Sequence, residues 1–369
     1  MQTRVPKILD DLIEKNRALG QRTVDRIREL RDEIREGKEI RELAPGAPDV
    51  DDWSEAILAR PGEGWLSTDW FFAETLVYRR VIEACRWWET GEDPFVEHKR
   101  EELASEGVWE RFERGLNEAP DVHKQPEERL SRQLLACLWG NRVDLSYPAS
   151  LAQGHTWRSD DLLSDERAFV MKKLTPTRGR YDVIADNTDT ELLADLALID
   201  SLLQLGASVV TLHVKVHPTF VSDATAHDVH ETIRAMSAHG GESSNAATRL
   251  RESFDAGRLR LAPDLFWNGP RFGWELPRRL RRLLTGSTLT LIKGDANYRR
   301  VVGDAMWPAH ASLKPIAEAW PCAIALLRTL KSDTLVGLEQ GVAERLDASS
   351  PGWRVDGKRG VIQASDGAA

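Results

Sequence analysis

Residues 181–205 read YDVIADNTDTELLADLALIDSLLQL, and their pattern decides the fold class. Tyr181 to Ala185 is a short apolar run of strand length. The polar turn Asp186-Asn187-Thr188-Asp189 ends it, and a leucine-rich helix from about Thr190 to Leu205 follows. Strand, polar turn and helix form the unit that builds parallel sheets, because the returning helix lets the next strand run the same way. The same grammar repeats downstream. Ser208 to Val216 is rich in β-branched residues and precedes helical stretches over roughly 225–239 and 243–256. Arg258 to Ala262 is a brief strand, and Trp274 to Leu284 reads as helical. Thr288 to Ile292 is a strand running into Lys293-Gly294-Asp295, and Cys322 to Leu327 is another, running into Arg328 to Lys331. Trp353 to Val355 and Gly360 to Gln363 suggest an edge hairpin, and Ser365 to Ala369 a disordered tail.

Toward the N-terminus the pattern is different. Residues 1 to about 145 are charge-dense and carry apolar positions at helical spacing, such as Ile8, Leu9, Leu12 and Ile13, then Val24, Ile27, Leu30 and Ile34. Ser67 to Asp69 offer an N-cap for a helix through Trp88, and another helix runs from about Glu127 to Trp139. The expected fold is therefore α/β: a helical N-terminal domain over 1–150 and, over 151–369, a doubly wound, mostly parallel sheet.

The chain has 369 residues, with 59 acidic against 50 basic side chains and a net charge of −9. That balance disfavours nucleic acid and anionic membrane as partners, since both need a cationic footprint. No apolar run approaches the roughly 18–20 residues that span a bilayer. Met1 to Leu12 carries Arg4, Lys7, Asp10 and Asp11 where a signal peptide needs an apolar segment. Cys85, Cys137 and Cys322 are far apart in apolar stretches, which speaks against a disulfide framework or zinc site. A cytoplasmic protein is expected; oligomeric state is not legible.

In an open parallel sheet, ligands bind beyond the carboxyl ends of the strands. Asp186 and Asn187 follow one strand, and Ser222 and Asp223 another. Lys293, Asp295, Asn297 and Arg299 follow a third, and Arg328, Thr329 and Lys331 a fourth. Asp, Asn and Asp offer hard oxygen ligands for a divalent ion, and nearby lysine and arginine are suited to phosphoryl oxygens. The alternative at each position is an ordinary strand-end turn.

Several separated blocks resemble one family. Trp70-Phe-Phe-Ala73-Glu74 with Tyr78-Arg79-Arg80, and Trp139-Gly140-Asn141 through Asp144-Leu145-Ser146, are similar to its Trp-x-x-Ala-Glu…Tyr-Arg-Arg and Trp-Gly-Asn-x-x-Asp-Leu-Ser motifs. Asp186-Asn187-Thr188-Asp189-Thr190-Glu191-Leu192, Phe220 to Thr225, Lys293 to Arg300 and Arg328-Thr329-Leu330-Lys331 complete the set. The chain resembles the damage-control phosphatase family (domain of unknown function 89), in its acidic-residue-methyltransferase-like branch with an Arg-Thr-x-Lys motif. The resemblance implies a metal-dependent phosphomonoester hydrolase acting on small phosphorylated metabolites such as fructose 1-phosphate or fructose 6-phosphate. It assigns a divalent ion (Mn²⁺, or Co²⁺, Ni²⁺ or Mg²⁺) to Asp186, Asn187 and Asp223, and catalysis to these with Lys331. It assigns substrate contacts to Glu191, Lys293, Asp295, Asn297, Tyr298, Arg299 and Arg328. The family pattern favours Gly where this chain has Asp189, a position that suits an unusual backbone angle or close approach.

Other readings are weaker. Asp186 and Asp189 are three residues apart, not the two of a haloacid-dehalogenase Asp-x-Asp. Methyl transfer from S-adenosylmethionine to protein carboxylates, also ascribed to this branch, lacks a glycine-rich loop after the first sheet strand. A dedicated phosphatase of a biosynthetic pathway is a further alternative. His213, Lys215 and His217 alternate on one strand face, where a histidine pair reads as packing or surface rather than metal binding, Arg278 to Arg282 read as a solvated helix face, and the aromatic stretch Asp264 to Trp274 as a wall near substrate. Arg79 and Arg80 are the helical residues placed to reach a site, with salt bridges the plainer account.

Overall fold

The computed structural model describes residues 1–15, 20–140, 161–175 and 178–368. The block from Asn141 to Ser146 lies outside the described residues. Among the described residues seven strands form one sheet in the order β1-β7-β6-β5-β2-β3-β4, with β1 Leu162–Asp165, β2 Arg180–Ile184, β3 Val209–Val214, β4 Leu259–Pro263, β5 Leu289–Lys293, β6 Ile324–Thr329 and β7 Gly360–Ser365. β2 pairs in parallel with β3 and with β5, and β5 in parallel with β6. Leu212, Leu291, Ile324 and Leu326 are fully buried, as expected of strands covered on both faces, whose sequences read as continuous apolar runs. From β2 the chain winds outward through β3 and β4. It then returns to the other side of β2 with β5 and β6, so the winding direction reverses between β2 and β5.

The C-terminal strand departs from the expected edge hairpin. β7 lies between β6, to which it is antiparallel, and β1, to which it is parallel. Trp353 is no strand residue; its buried ring donates from Nε1 to Asp347 Oδ1 at 2.7 Å. The tail docks as far as Ala368, whose N–H donates to Trp320 O at 2.8 Å, and Gly367 leaves no room for a Cβ, which would stand 2.1 Å from Cys322 O.

By compactness the chain divides into two units. One comprises Met1–Glu101, Lys215–Thr225 and Pro263–Arg271. The other comprises Glu102–Val214, Ala226–Ala262 and the chain from Phe272 on. The division thus falls well before the change in sequence pattern near residue 150. The helices Glu106–Asn117 and Pro126–Trp139 belong with the sheet. Gln133 Nε2 on the latter donates to Ala197 O (3.0 Å) and Ser201 Oγ (2.9 Å) of the helix Asp189–Gln204. Its C-terminus docks at the first turn of that helix, where Thr190 Oγ1 donates to Gly140 O at 2.6 Å and a Cβ on Gly140 would meet Glu191 Cα at 2.8 Å. Glu113 caps a third helix, Gly241–Asp255, by accepting from the N–H groups of Glu242 and Ser243 at 2.6 and 2.8 Å.

The first unit packs the helices Arg4–Lys15, Gln21–Glu36 and Val50–Leu58 around Trp70–Ala84, which is buried on nearly every side. Its arginines serve this framework. Arg79 makes a buried bidentate pair with Asp49 (2.6 and 2.9 Å), and Arg80 pairs with Glu83 and donates to the carbonyls of Arg41 and Glu42. Among the described residues no helix is long and apolar enough to cross a membrane.

His217 in this unit is fully buried, edge-on to Trp87 and Trp88, with Asn268 Nδ2 3.2 Å from its Nδ1. Burial pushes its pKa down to about 4. Between that value and the ordinary 6.5 or so, the unfolded chain holds a proton that the folded chain excludes, so stability falls as pH drops through this window. Urea unfolding at pH 7 and pH 4.5 is expected to show the protein losing about 2–3 kcal/mol more than a His217→Asn variant. Equal losses would refute a neutral buried imidazole.

Candidate functional site at the reversal of the sheet

Because the winding reverses between β2 and β5, the loops leaving their carboxyl ends diverge to opposite faces and open a crevice. β2 delivers Ala185 to Thr188 and then the helix Asp189–Gln204; β5 delivers Gly294 and then the helix Asp295–Val302. Across this crevice the Asp186 carboxyl group lies directly on Gly294. A Cβ there would stand 1.8 Å from Asp186 Oδ2, and the glycine backbone has φ +84 and ψ 172, a region essentially reserved for glycine. Asn297 ties the two strand ends together from below, its Nδ2 donating to Ala185 O (3.0 Å) and Lys293 O (2.9 Å).

Asn187 Nδ2 donates to Asp186 Oδ2 at 2.9 Å and to Glu191 Oε1 at 3.3 Å. With its nitrogen held by two carboxylates, the amide oxygen faces the other way. Adjacent carboxylate and amide oxygens on a strand-end turn are hard donors of the kind that divalent ions take, and the glycine cradle keeps the carboxylate in place. Asp189 opens the following helix at φ +67. This is the left-handed conformation that a glycine accepts freely, and aspartate is among the few side chains tolerated there. The left-handed turn is thus formed with an aspartate in it.

Basic residues at the strand ends meet protein partners. Lys293 is buried, and its Nζ lies 2.9 Å from Asp195 Oδ1. Burial opposes its charge, but Asp195 and Glu191 outweigh burial and raise the ammonium's pKa. Arg299 makes a bidentate pair with Asp304. Arg328 is fully buried, stacked 4.3 Å over the Tyr298 ring, with Nε on Asp295 Oδ1 at 2.8 Å and Nη2 on Ser332 O at 2.7 Å. Tyr298 is buried too, its hydroxyl donating to Gln363 Oε1 and accepting from Val336 N–H, both at 3.1 Å. The polar groups named on Lys293, Asn297, Tyr298, Arg299 and Arg328 are engaged by protein partners that hold the strand ends.

These partners build the turn that carries Lys331. Burial works against the Asp295 charge, but Arg328 and Arg299 outweigh it and hold the carboxyl below the usual range. Asp295 Oδ1 also accepts from the Lys331 N–H (3.1 Å) and Ser332 Oγ (3.1 Å). The Arg-Thr-x-Lys motif thus has a local explanation. Its arginine anchors the turn from inside, and its lysine projects from that turn, exposed.

Asp223 belongs to the first unit, in the segment that follows β3. There its Oδ2 lies 3.3 Å from Lys215 Nζ, both side chains being buried. Among the described residues no three His, Cys, Asp or Glu side chains cluster as a ready cation site; the expected set includes an amide. The sequence pattern gives Lys215, Gly294 and Asp195 no role. A signal for Asp195 exists in its spacing, one helical turn beyond Glu191 on the same face.

Residues 1–346 match the damage-control phosphatase ARMT1-like domain. The chain belongs to this family. It is 29% identical to damage-control phosphatase ARMT1 of Xenopus tropicalis, over 97% of this chain and 90% of that protein. It is 29% identical to the mouse protein of that name (93% and 86%) and 27% identical to the human one (98% and 94%). A crystal structure of a DUF89 family protein from Pyrococcus horikoshii aligns over 98% of both chains, with 14% identity and a TM-score of 0.49. As a damage-control phosphatase the chain is an enzyme, of a family that is generally dependent on a divalent metal.

Proposed function

We propose that this damage-control phosphatase releases phosphate from small phosphorylated metabolites in the cytoplasm, sugar phosphates of the fructose 1-phosphate or fructose 6-phosphate type among them. The observation that carries the site assignment is the Asp186 carboxyl group cradled on Gly294 where the sheet reverses. Asp186 and Asn187 would hold the divalent ion, Mn²⁺ or one of Co²⁺, Ni²⁺ and Mg²⁺; Asp223 joins them on its motif alone. Such an ion polarises a phosphoryl oxygen and lowers the pKa of water.

The chain's own residues supply the rest. Glu191 steadies the Asn187 amide, fixing which way its oxygen faces. Lys331, on its braced turn, is the exposed cation for a phosphoryl oxygen, and the buried Arg328 and Lys293 keep the strand ends rigid. Three free cysteines, two of them buried, suit a reducing compartment.

The test is phosphate release by the purified protein from a panel of phosphosugars and nucleotides with each metal in turn. Release that chelator abolishes is expected, strongest on phosphosugars. Lys331→Ala is expected to lower kcat/KM by about 10²-fold with the melting temperature unchanged. No release with any metal sinks the proposal, and full activity in Lys331→Ala removes the lysine from it.

A further inference from the structure

Asp223 is held by a loop whose construction is costly. In Lys215–Thr225 the Lys215 N–H donates to Ala224 O at 2.9 Å, Lys215 forms a parallel bridge with Thr225, and the Asp223 N–H donates to Thr219 O at 3.2 Å. Between these closures Phe220 and Val221 take φ values of +48 and +72. A β-branched residue stays in the left-handed region only where its surroundings impose it; here the Phe220 ring is packed 5.0 Å from Tyr78. The strained apex immediately precedes Ser222 and Asp223.

The loop also carries its own cation. Lys215 Nζ is 3.3 Å from Asp223 Oδ2 and donates to Trp267 O at 2.9 Å. Lysine and carboxylate are each 1% exposed, a depth at which neither charge is tolerated alone.

We propose that Lys215 is a placeholder cation: in the metal-free protein it holds the Asp223 carboxylate in place, and it shares that carboxylate with the divalent ion once one binds. This rests on the reading of Asp223 as a metal-binding residue. The ammonium and the ion have charge of one sign on one carboxylate, so they repel each other. Lys215 therefore lends stability to the empty protein and weakens its affinity for metal, with the Trp267 carbonyl retaining the lysine in either state.

Lys215→Met keeps the stem and removes the charge. Mn²⁺ binding followed by the free-ion electron paramagnetic resonance signal is expected to tighten by about tenfold or more. The metal-free melting temperature falls, and the rise that Mn²⁺ produces becomes larger than in the unmodified protein. Asp49→Asn, which breaks the buried pair with Arg79 in the same unit, is the control for structural damage; it lowers the melting temperature and leaves the Kd for Mn²⁺ unchanged. Should Lys215→Met not fold, Lys215→Gln retains a donor for Trp267 O and carries the same expectation. Unchanged or weaker Mn²⁺ binding by the folded variant overturns the placeholder role alone. Absence of Mn²⁺ binding by the unmodified protein overturns the metal reading, and this inference with it.

Discussion

Gly294→Ala is expected to remove phosphate release nearly as fully as Asp186→Ala, although it takes no functional group away. Two costs arise together. The backbone at φ +84 and ψ 172 lies where side chains are strained by about 1–3 kcal/mol. The added methyl would also stand 1.8 Å from Asp186 Oδ2 and 1.9 Å from its Cγ. A carboxylate is the free end of a short side chain, so it moves and the strand stays. That movement is what the chemistry cannot absorb, since displacing a reacting group by about 1 Å costs on the order of 10²-fold in rate. Gly286→Ala separates the two effects. Gly286 has nearly the same φ, +85, and a methyl group added to it would meet nothing within 4 Å; its variant is expected to lose stability and keep its activity. Phosphate release by Gly294→Ala at more than half the unmodified rate would show that Asp186 is not the group on which turnover depends.

The fate of these residues shows which parts of the protein are readable from its sequence. Tyr181 to Ala185 and the turn after it are legible because a strand buried on both faces is mostly apolar, broken here by Asp182 whose buried carboxylate meets His213 of β3, and its end must be polar. The same physics exposes β3, β5 and β6. β1 escapes it, since four residues at the sheet edge, Leu162 to Asp165, need no such run. The neighbours of β7 are set by where the chain returns, which local patterning does not encode. The unit boundary is similarly hidden: the Pro126–Trp139 helix has the composition of the helices before it, and its packing with the second unit shows in Gln133 and Arg129 reaching Ala197 and Ser201. Within the candidate site, the grouping of Asp186, Asn187 and Glu191 is legible because one turn carries all three. A lysine after a strand looks the same in sequence whether it meets a phosphate or a buried aspartate far back in the chain.

Lys293 and Asp195 allow that last ambiguity to be resolved by experiment. Asp195→Leu strands the Lys293 ammonium in the interior, and removing one partner of a buried pair costs about 3–5 kcal/mol. Replacing both, as Asp195→Leu with Lys293→Met, removes the uncompensated charge and the desolvation of both ions together, so most of that stability is expected to return. Cys137 adds no competing charge, because burial, reinforced by Asp195, pushes its thiol pKa well above the ordinary value. Urea unfolding of the single and double variants gives the coupling between the two residues; phosphate release by the double variant then decides the role of the lysine. A framework lysine, as the 2.9 Å pair implies, leaves the double variant with the greater part of its activity. A lysine that met the phosphoryl group during turnover would instead cost about 10²–10³-fold in kcat however well the protein folds. Recovery of stability without recovery of activity would therefore return Lys293 to the substrate contacts and leave Asp195 as the residue that holds it there.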